Sequence, residues 1–346
     1  MNLKNIPRIT FGIIVLNGEP FTKYCLQHLY PYAHEIIVVE GGSKHAIDYA
    51  PNGHSTDGTL ETLYRFKANK DPENKVQIIT KTGFWEEKDE QSHAYAERAT
   101  GDWLWQVDID EFYTTRNFER IIKLLQTQPD VTGMSFKTFT FWGNLNTITD
   151  GWSLKRGREK YHRLFKWGHG YSYVTHRPPT ITNENGENLR NIKYLDGKLL
   201  YKNYGIYMNH YSLLLPRQVI EKAMYYTKGG FRTETTNWAR NNYLRLGNVF
   251  RVHNVYEYPS WLERYKGEHN EQTVKMFQEL SKNKKEELRN MDDVDRLLGS
   301  WRYLILRTLV EKAEIFDRII NIYLKQRLSS IMLLTKRMTK KIIHQL

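Results

Sequence analysis

Residues 9–16 read Ile-Thr-Phe-Gly-Ile-Ile-Val-Leu, a continuous apolar and β-rich run that predicts a buried strand. Pro20 then opens a stretch in which Phe21, Tyr24, Cys25, Leu29 and Tyr32 recur at helical spacing, so a helix follows. A second buried strand is predicted at 36–39, ending on Glu40-Gly41-Gly42-Ser43. A helix carrying Leu60, Leu63, Tyr64 and Phe66 starts where Ser55, Thr56 or Asp57 can cap it. Strands at 76–79 and 103–107 flank a polar helix over 87–100. Strands alternating with helices imply a parallel sheet with right-handed crossovers.

The texture changes after residue 131. Apolar stretches at 134–142, 161–167 and 206–211 predict strands separated by long polar loops, hence a mixed and partly antiparallel second half. From Pro216 the pattern turns helical, with helices expected over 216–228, 234–246, 270–290 and 293–328. Tyr258-Pro259-Ser260 suggests a division into an α/β domain, 1–258, and a helical, basic extension, 259–346.

Composition narrows the class. A chain of 346 residues buries a substantial core, and 40% hydrophobic residues with a mean hydropathy of −0.65 suit a soluble protein. No apolar run approaches the ~20 residues that cross a bilayer, and residues 1–5 lack the apolar core of a signal peptide, so a cytoplasmic location is expected. A single cysteine, Cys25, excludes an internal disulfide and a cysteine-built zinc site. The net charge is +12, and residues 301–346 hold ten Lys/Arg against three acids, or +7.

Candidate chemistry begins at Asp108-Ile109-Asp110, directly after the run 103–107. Strand alternation would turn both carboxylates to one side, toward a divalent cation and the diphosphate it neutralises, as in a metal-assisted transferase. Polar residues also mark the other strand ends: Asn17-Gly18-Glu19, Glu40-Gly41-Gly42-Ser43 and Asp57-Gly58-Thr59. Carboxylates there suit ribose or a base edge, and glycines let the backbone approach a ligand.

Taken with Ala99-Thr100-Gly101-Asp102-Trp103 leading into Val107-Asp108-Ile109-Asp110-Glu111-Phe112, this series resembles a family 2 glycosyltransferase of the GT-A fold over about residues 8–230. The resemblance implies a hexosyltransferase moving a sugar, with inversion, from a UDP-, GDP- or dTDP-linked donor with Mn²⁺ or Mg²⁺. On this sequence it implies that Asn17, Glu19, Glu40, Gly41 and Asp57 form the nucleotide pocket. Asp108 would lie between ribose and metal, Asp110 would be the principal metal ligand and His210 an additional one. Lys88 and Gln91, near a Lys and a Gln of similar sequences, would reach the base or phosphates.

An inverting transferase needs a base for the acceptor hydroxyl. Related enzymes carry a His-Glu pair after an Arg-Leu-Phe strand. Here Arg163-Leu164-Phe165 is followed by His176-Arg177-Pro178-Pro179, leaving Glu184, Glu187 and Asp196 as base candidates and His176 as an acceptor residue. Phe139, Phe141, Trp142, Trp152, Trp167, Tyr171 and Tyr173 fall where acceptor loops would lie, and Trp142, beside Gly143-Asn144, is expected to be exposed in the cleft.

The expected acceptor is a saccharide or lipid-linked saccharide, in making a surface polysaccharide. In the basic tail Leu304, Leu309, Ile315, Ile319, Ile322 and Leu333 alternate with Lys and Arg, which suits an amphipathic helix on an anionic membrane surface or self-association through 293–346. No nucleic-acid motif accompanies the charge, so nucleic acid is not expected. Two rivals are a nucleotidyltransferase, which needs a Gly-rich basic loop after the first strand, and a catalytically silent nucleotide-sugar-binding module docking through its tail.

Overall fold

The computed structural model describes residues 6–151, 161–230, 235–253, 259–283 and 288–313. Trp152 and the tail positions Ile315, Ile319, Ile322 and Leu333 lie outside them. Among the described residues the protein is a mixed α/β structure built on a seven-stranded sheet, a five-stranded sheet and a two-stranded ribbon. The chain runs β1 (Ile9–Val15), α1 (Phe21–Leu29), β2 (Glu35–Glu40), α2 (Thr59–Lys70), β3 (Val76–Ile79), α3 (Lys88–Ala96), β4 (Trp103–Asp108), β5 (Glu111–Phe112) and α4 (Thr115–Thr127). It continues with β6 (Gly133–Phe136), β7 (Thr138–Trp142), β8 (Thr147–Gly151), β9 (Tyr161–Lys166), β10 (Ser172–His176), β11 (Pro179–Thr182), β12 (Tyr194–Leu195) and α5 (Gly197–Tyr204). β13 (Met208–Leu213), α6 (Pro216–Lys228), β14 (Ser260–Arg264), α7 (Glu271–Asn283) and α8 (Asp292–Gly299) complete the order used below.

The larger sheet has the order β12-β6-β9-β4-β1-β2-β3. β4, β1, β2 and β3 are parallel, as the alternating pattern predicts, while β9 runs antiparallel between β4 and β6. β1 and β2 are interior strands paired on both edges, which is why they read as unbroken apolar runs: Phe11, Ile13, Ile36, Ile37, Val38 and Val39 have no exposed surface. Apolar side chains of α1 and α4, including Leu26 and Ile121, pack into one core with the strands.

The second half departs from the prediction in instructive ways. Residues 134–142, read as one strand, form two, and the chain passes from the large sheet to a second sheet of order β14-β8-β7-β13-β5 at Lys137. β5 is only two residues long, yet it carries the chain from the end of β4 into this second sheet by pairing with β13. The helix expected over 293–328 is interrupted, since α8 ends at Gly299 and helix resumes over 301–313.

The predicted boundary at 258/259 also moves. β14 pairs with β8 and α7 packs on α1, so residues 259–291 belong with the sheets. The chain separates into two compact units at Met291/Asp292. Among the described residues no helix is long and apolar enough to cross a membrane.

Candidate active site

The ends of β1, β2 and β4, the start of α3, the β10–β11 turn, β13 and one face of α6 enclose a cavity of about 440 Å³. Asn17, Glu19, Gly41, Lys88, Gln91, Asp108, Asp110 and His210 all border it. Eight expected site residues, distant in sequence, therefore meet in one place.

Backbone geometry shapes its floor. Asn17 adopts φ 51, in the left-handed region, where β1 turns toward α1. Its side chain accepts from Thr56 N at 2.9 Å and donates to Glu221 Oε2 at 3.2 Å, which holds the unusual conformation. Gly41 has φ +121, and a Cβ there would lie 2.9 Å from Trp85 Nε1, so only glycine lets the end of β2 close against that indole.

Glu40 and Asp57 lie one layer behind the cavity. Glu40 accepts from Ser55 N at 2.7 Å and meets His54 Nδ1 at 2.8 Å. Asp57 accepts from Glu19 N at 2.9 Å and from Thr59 N at 3.0 Å. Each carboxylate braces the loop in front of it. Gln91 likewise fastens α3 to Gly41, donating to its carbonyl at 2.8 Å.

Asp108 and Asp110 do face one side, but not by strand alternation. β4 ends at Asp108, and residues 109–110 form the turn into β5. Asp108 Oδ2 receives Arg163 Nη2 at 3.1 Å, and the same guanidinium makes bonds of 2.8 and 2.5 Å to Glu111. Asp110, 2% exposed, accepts at Oδ2 from Lys222 Nζ at 2.5 Å and Gln218 Nε2 at 2.7 Å. Its Oδ1 lies 3.5 Å from His210 Nε2.

Burial works against both charges. Arg163 and Lys88 nevertheless hold the Asp108 carboxyl well below the usual range, and Lys222 and His210 do the same for Asp110. Both are carboxylates across the physiological range, as cation ligands must be.

These residues fit a hard divalent cation. Asp108, Glu111 and His210 each offer a ligand atom, all within 4.8 Å of one another. His210 Nδ1 is buried without a hydrogen-bond partner among the described residues, an arrangement that a ligand would relieve. Carboxylate oxygens suit Mn²⁺ or Mg²⁺, and an imidazole among them favours Mn²⁺.

Five expectations are corrected. Glu184 and Glu187 are exposed on the loop after β11, which runs in water because its polar backbone needs solvent, and neither borders the cavity. Asp196 caps α5, accepting from Lys198 N at 2.9 Å. Trp142 is fully buried, its indole donating to Val252 O at 3.0 Å beneath the Arg289 guanidinium, 4.5 Å from a ring centroid. His176, 3% exposed, accepts no role in the cleft: its N–H donates to Asp89 at 2.6 Å and its ring meets Ser92 Oγ at 2.8 Å.

The helix over 216–228 is as the pattern predicts, but its part in the cavity is not legible in the sequence. Gln218, Glu221, Lys222 and Tyr225 repeat at three- and four-residue steps, so one helical face turns its polar side chains into the cavity. In sequence that face is indistinguishable from a solvated one. Arg163 was visible only as part of a strand signature.

No family model matches the chain, and no curated protein matches it. Among solved structures it is similar to TarS 1–349 of S. aureus, with 14% identity and a TM-score of 0.30 over 38% of this chain and 36% of that one. It is also similar to glucosyl-3-phosphoglycerate synthase from Mycobacterium tuberculosis, solved with Mn²⁺, uridine diphosphate and glucosyl-3-phosphoglycerate, with 16% identity and a TM-score of 0.28 over 40% and 45%. In each case the match spans less than half of the solved chain.

Proposed function

We propose that the chain is a GT-A glycosyltransferase of the family 2 type that takes a sugar from a nucleoside-diphosphate donor in the presence of Mn²⁺ or Mg²⁺. The carrying observation is the convergence of Asn17, Gly41, Asp108, Asp110 and His210 on one cavity at the strand ends. Asn17, Glu19 and Gly41 would line the nucleoside end. Asp108 and His210, with Asp110 or Glu111, would hold the cation, which would neutralise the charge that develops on the departing diphosphate. Arg163 orients Asp108, and Lys222 with Gln218 orients Asp110. A saccharide or lipid-linked acceptor, transfer with inversion and a role in surface polysaccharide synthesis complete the proposal. The basic tail would keep the enzyme at an anionic membrane surface.

The β1–α1 loop argues against a nucleotidyltransferase. Its backbone N–H groups at Asn17, Gly18 and Glu19 are taken by Ser55 Oγ, Thr59 Oγ1 and Asp57 Oδ2 at 2.9, 2.7 and 2.9 Å, leaving none of the three to cradle a triphosphate. Calorimetry with UDP, GDP and dTDP plus Mn²⁺ tests the proposal: one of the three is expected to bind, and a donor sugar to be slowly hydrolysed without acceptor. Silence from all three nucleotides would end it. Hydrolysis would also exclude a silent binding module.

Lys222 gives a second test. Its ammonium neutralises Asp110 Oδ2 directly, so it competes with any cation for that oxygen. Lys222→Met is expected to tighten Mn²⁺ binding by about tenfold or more, the equivalent of one charge-assisted hydrogen bond. Electron paramagnetic resonance titration of free Mn²⁺ reads this directly, and unchanged affinity would place the cation elsewhere.

A further inference from the structure

Four Lys and Arg side chains line the cavity: Lys88, Arg163, Arg177 and Lys222. Two are matched, Arg163 by Asp108 and Glu111 and Lys222 by Asp110. The other two have no carboxylate within ion-pair distance among the described residues. Lys88 Nζ instead lies 5.6 Å from the centre of the Tyr225 ring. The Arg177 guanidinium lies 5.6 Å from the Tyr226 ring centre and donates to its hydroxyl at 3.1 Å.

These groups come from three elements and are held in place. Lys88 is the first residue of α3, Arg177 lies on the β10–β11 turn, and Tyr226 is on α6. His176 pins the turn onto α3 through Asp89 and Ser92, one residue from Arg177. It is a positioning residue. Burial, followed by Arg177, lowers the Lys88 pKa, while Arg177, Lys88 and Lys222 bring the Tyr226 phenol down to about 8 despite its burial. Two like charges kept together against their repulsion make a site for an anion.

A nucleotide sugar carries two negative charges on its diphosphate, which the cation proposed beside Asp108 and His210 would largely offset, because Arg163 and Lys222 already face the carboxylates there. An ammonium, a guanidinium and a phenol together match a second group of about −2 charge with three acceptor oxygens. We propose that Lys88, Arg177 and Tyr226 bind a phosphate monoester carried by the acceptor. The proposal rests on the donor-site reading above and names the acceptor class for the same cavity.

The test is calorimetry on the full chain with Mn²⁺, with and without saturating UDP, using three probes: glycerol 3-phosphate, a hexose phosphate and farnesyl phosphate in neutral micelles. At least one probe is expected to bind while UDP is present. Arg177→Met should weaken that binding by about tenfold or more and leave UDP affinity within about twofold, as expected for one lost charge-assisted contact. Lys88→Met should weaken it similarly. Tighter binding of farnesyl phosphate than of the soluble esters, against a micelle-only control, assigns the phosphate to a lipid, and the reverse order assigns it to a soluble sugar or polyol. Mutual exclusion of probe and UDP would overturn the proposal by giving these cations to the donor diphosphate. Phosphate binding unchanged in both variants would overturn it equally. Absent UDP binding with phosphate still held, and lost in Arg177→Met, would remove the donor reading and leave the anion site standing.

Discussion

Asp110→Asn is expected to lower sugar transfer by about a thousandfold while the protein stays folded. The carboxylate is nearly sealed from water, and its two oxygens face different partners, Lys222 and Gln218 at Oδ2 and His210 at Oδ1. Asparagine keeps the shape and still offers Lys222 an oxygen, while the Lys222 side chain, 41% exposed, can turn to solvent. The substitution therefore removes a charge without stranding another. Loss of one anionic cation ligand costs several kcal/mol of charge stabilisation, and about 4 kcal/mol corresponds to three decades in rate. Release of nucleoside diphosphate from the donor measures the effect, with a cooperative thermal transition as the folding control. Activity within tenfold of the parent would remove Asp110 from the site.

Arg163→Met is expected to cost about 3–5 kcal/mol of stability, the usual penalty for leaving a buried charge without its partner. Glu111 has no exposed surface, and Arg163 gives it two bonds, so the truncation leaves a carboxylate with nothing to replace the guanidinium. Urea unfolding measures the change. The double variant Arg163→Met with Glu111→Gln should recover part of the loss, because the stranded charge is then gone, and additive losses would refute the coupling.

The pH dependence follows from the same groups. Asp108 and Asp110 have folded-state pKa values below those of an unfolded chain, so they contribute stability that is complete above about pH 4 and lost as pH falls further. Arg163 is one source of the Asp108 shift, so the acid-side loss should be smaller in Arg163→Met.

Much of the first half was legible from residue pattern. Buried parallel strands need apolar residues on both faces, and β1, β2 and β4 lie within one residue of where apolar runs place them. The ends of those strands are therefore legible, and residues at them such as Asn17, Gly41 and Asp108 line the cavity. Pro216 and the polar-apolar period likewise marked α6 over its observed length, 216–228.

Local periodicity therefore sets the succession of strands and helices around the cleft, because backbone burial writes itself into the residue pattern. Tertiary structure decided which polar residues meet. Glu184, Glu187 and Asp196 have the right chemistry and the wrong place, for a carboxylate on a loop or helix cap reads the same as one in a cleft. Trp142 lies in a core that forms only when Val252 and Arg289 come together around it. The α6 face, Arg163 and Arg177 reach the cavity through contacts between residues tens to more than a hundred positions apart, as in Lys222 with Asp110. Ion pairs across such separations leave no local period, so only the folded chain reveals that Arg163 faces Asp108 and Lys222 faces Asp110.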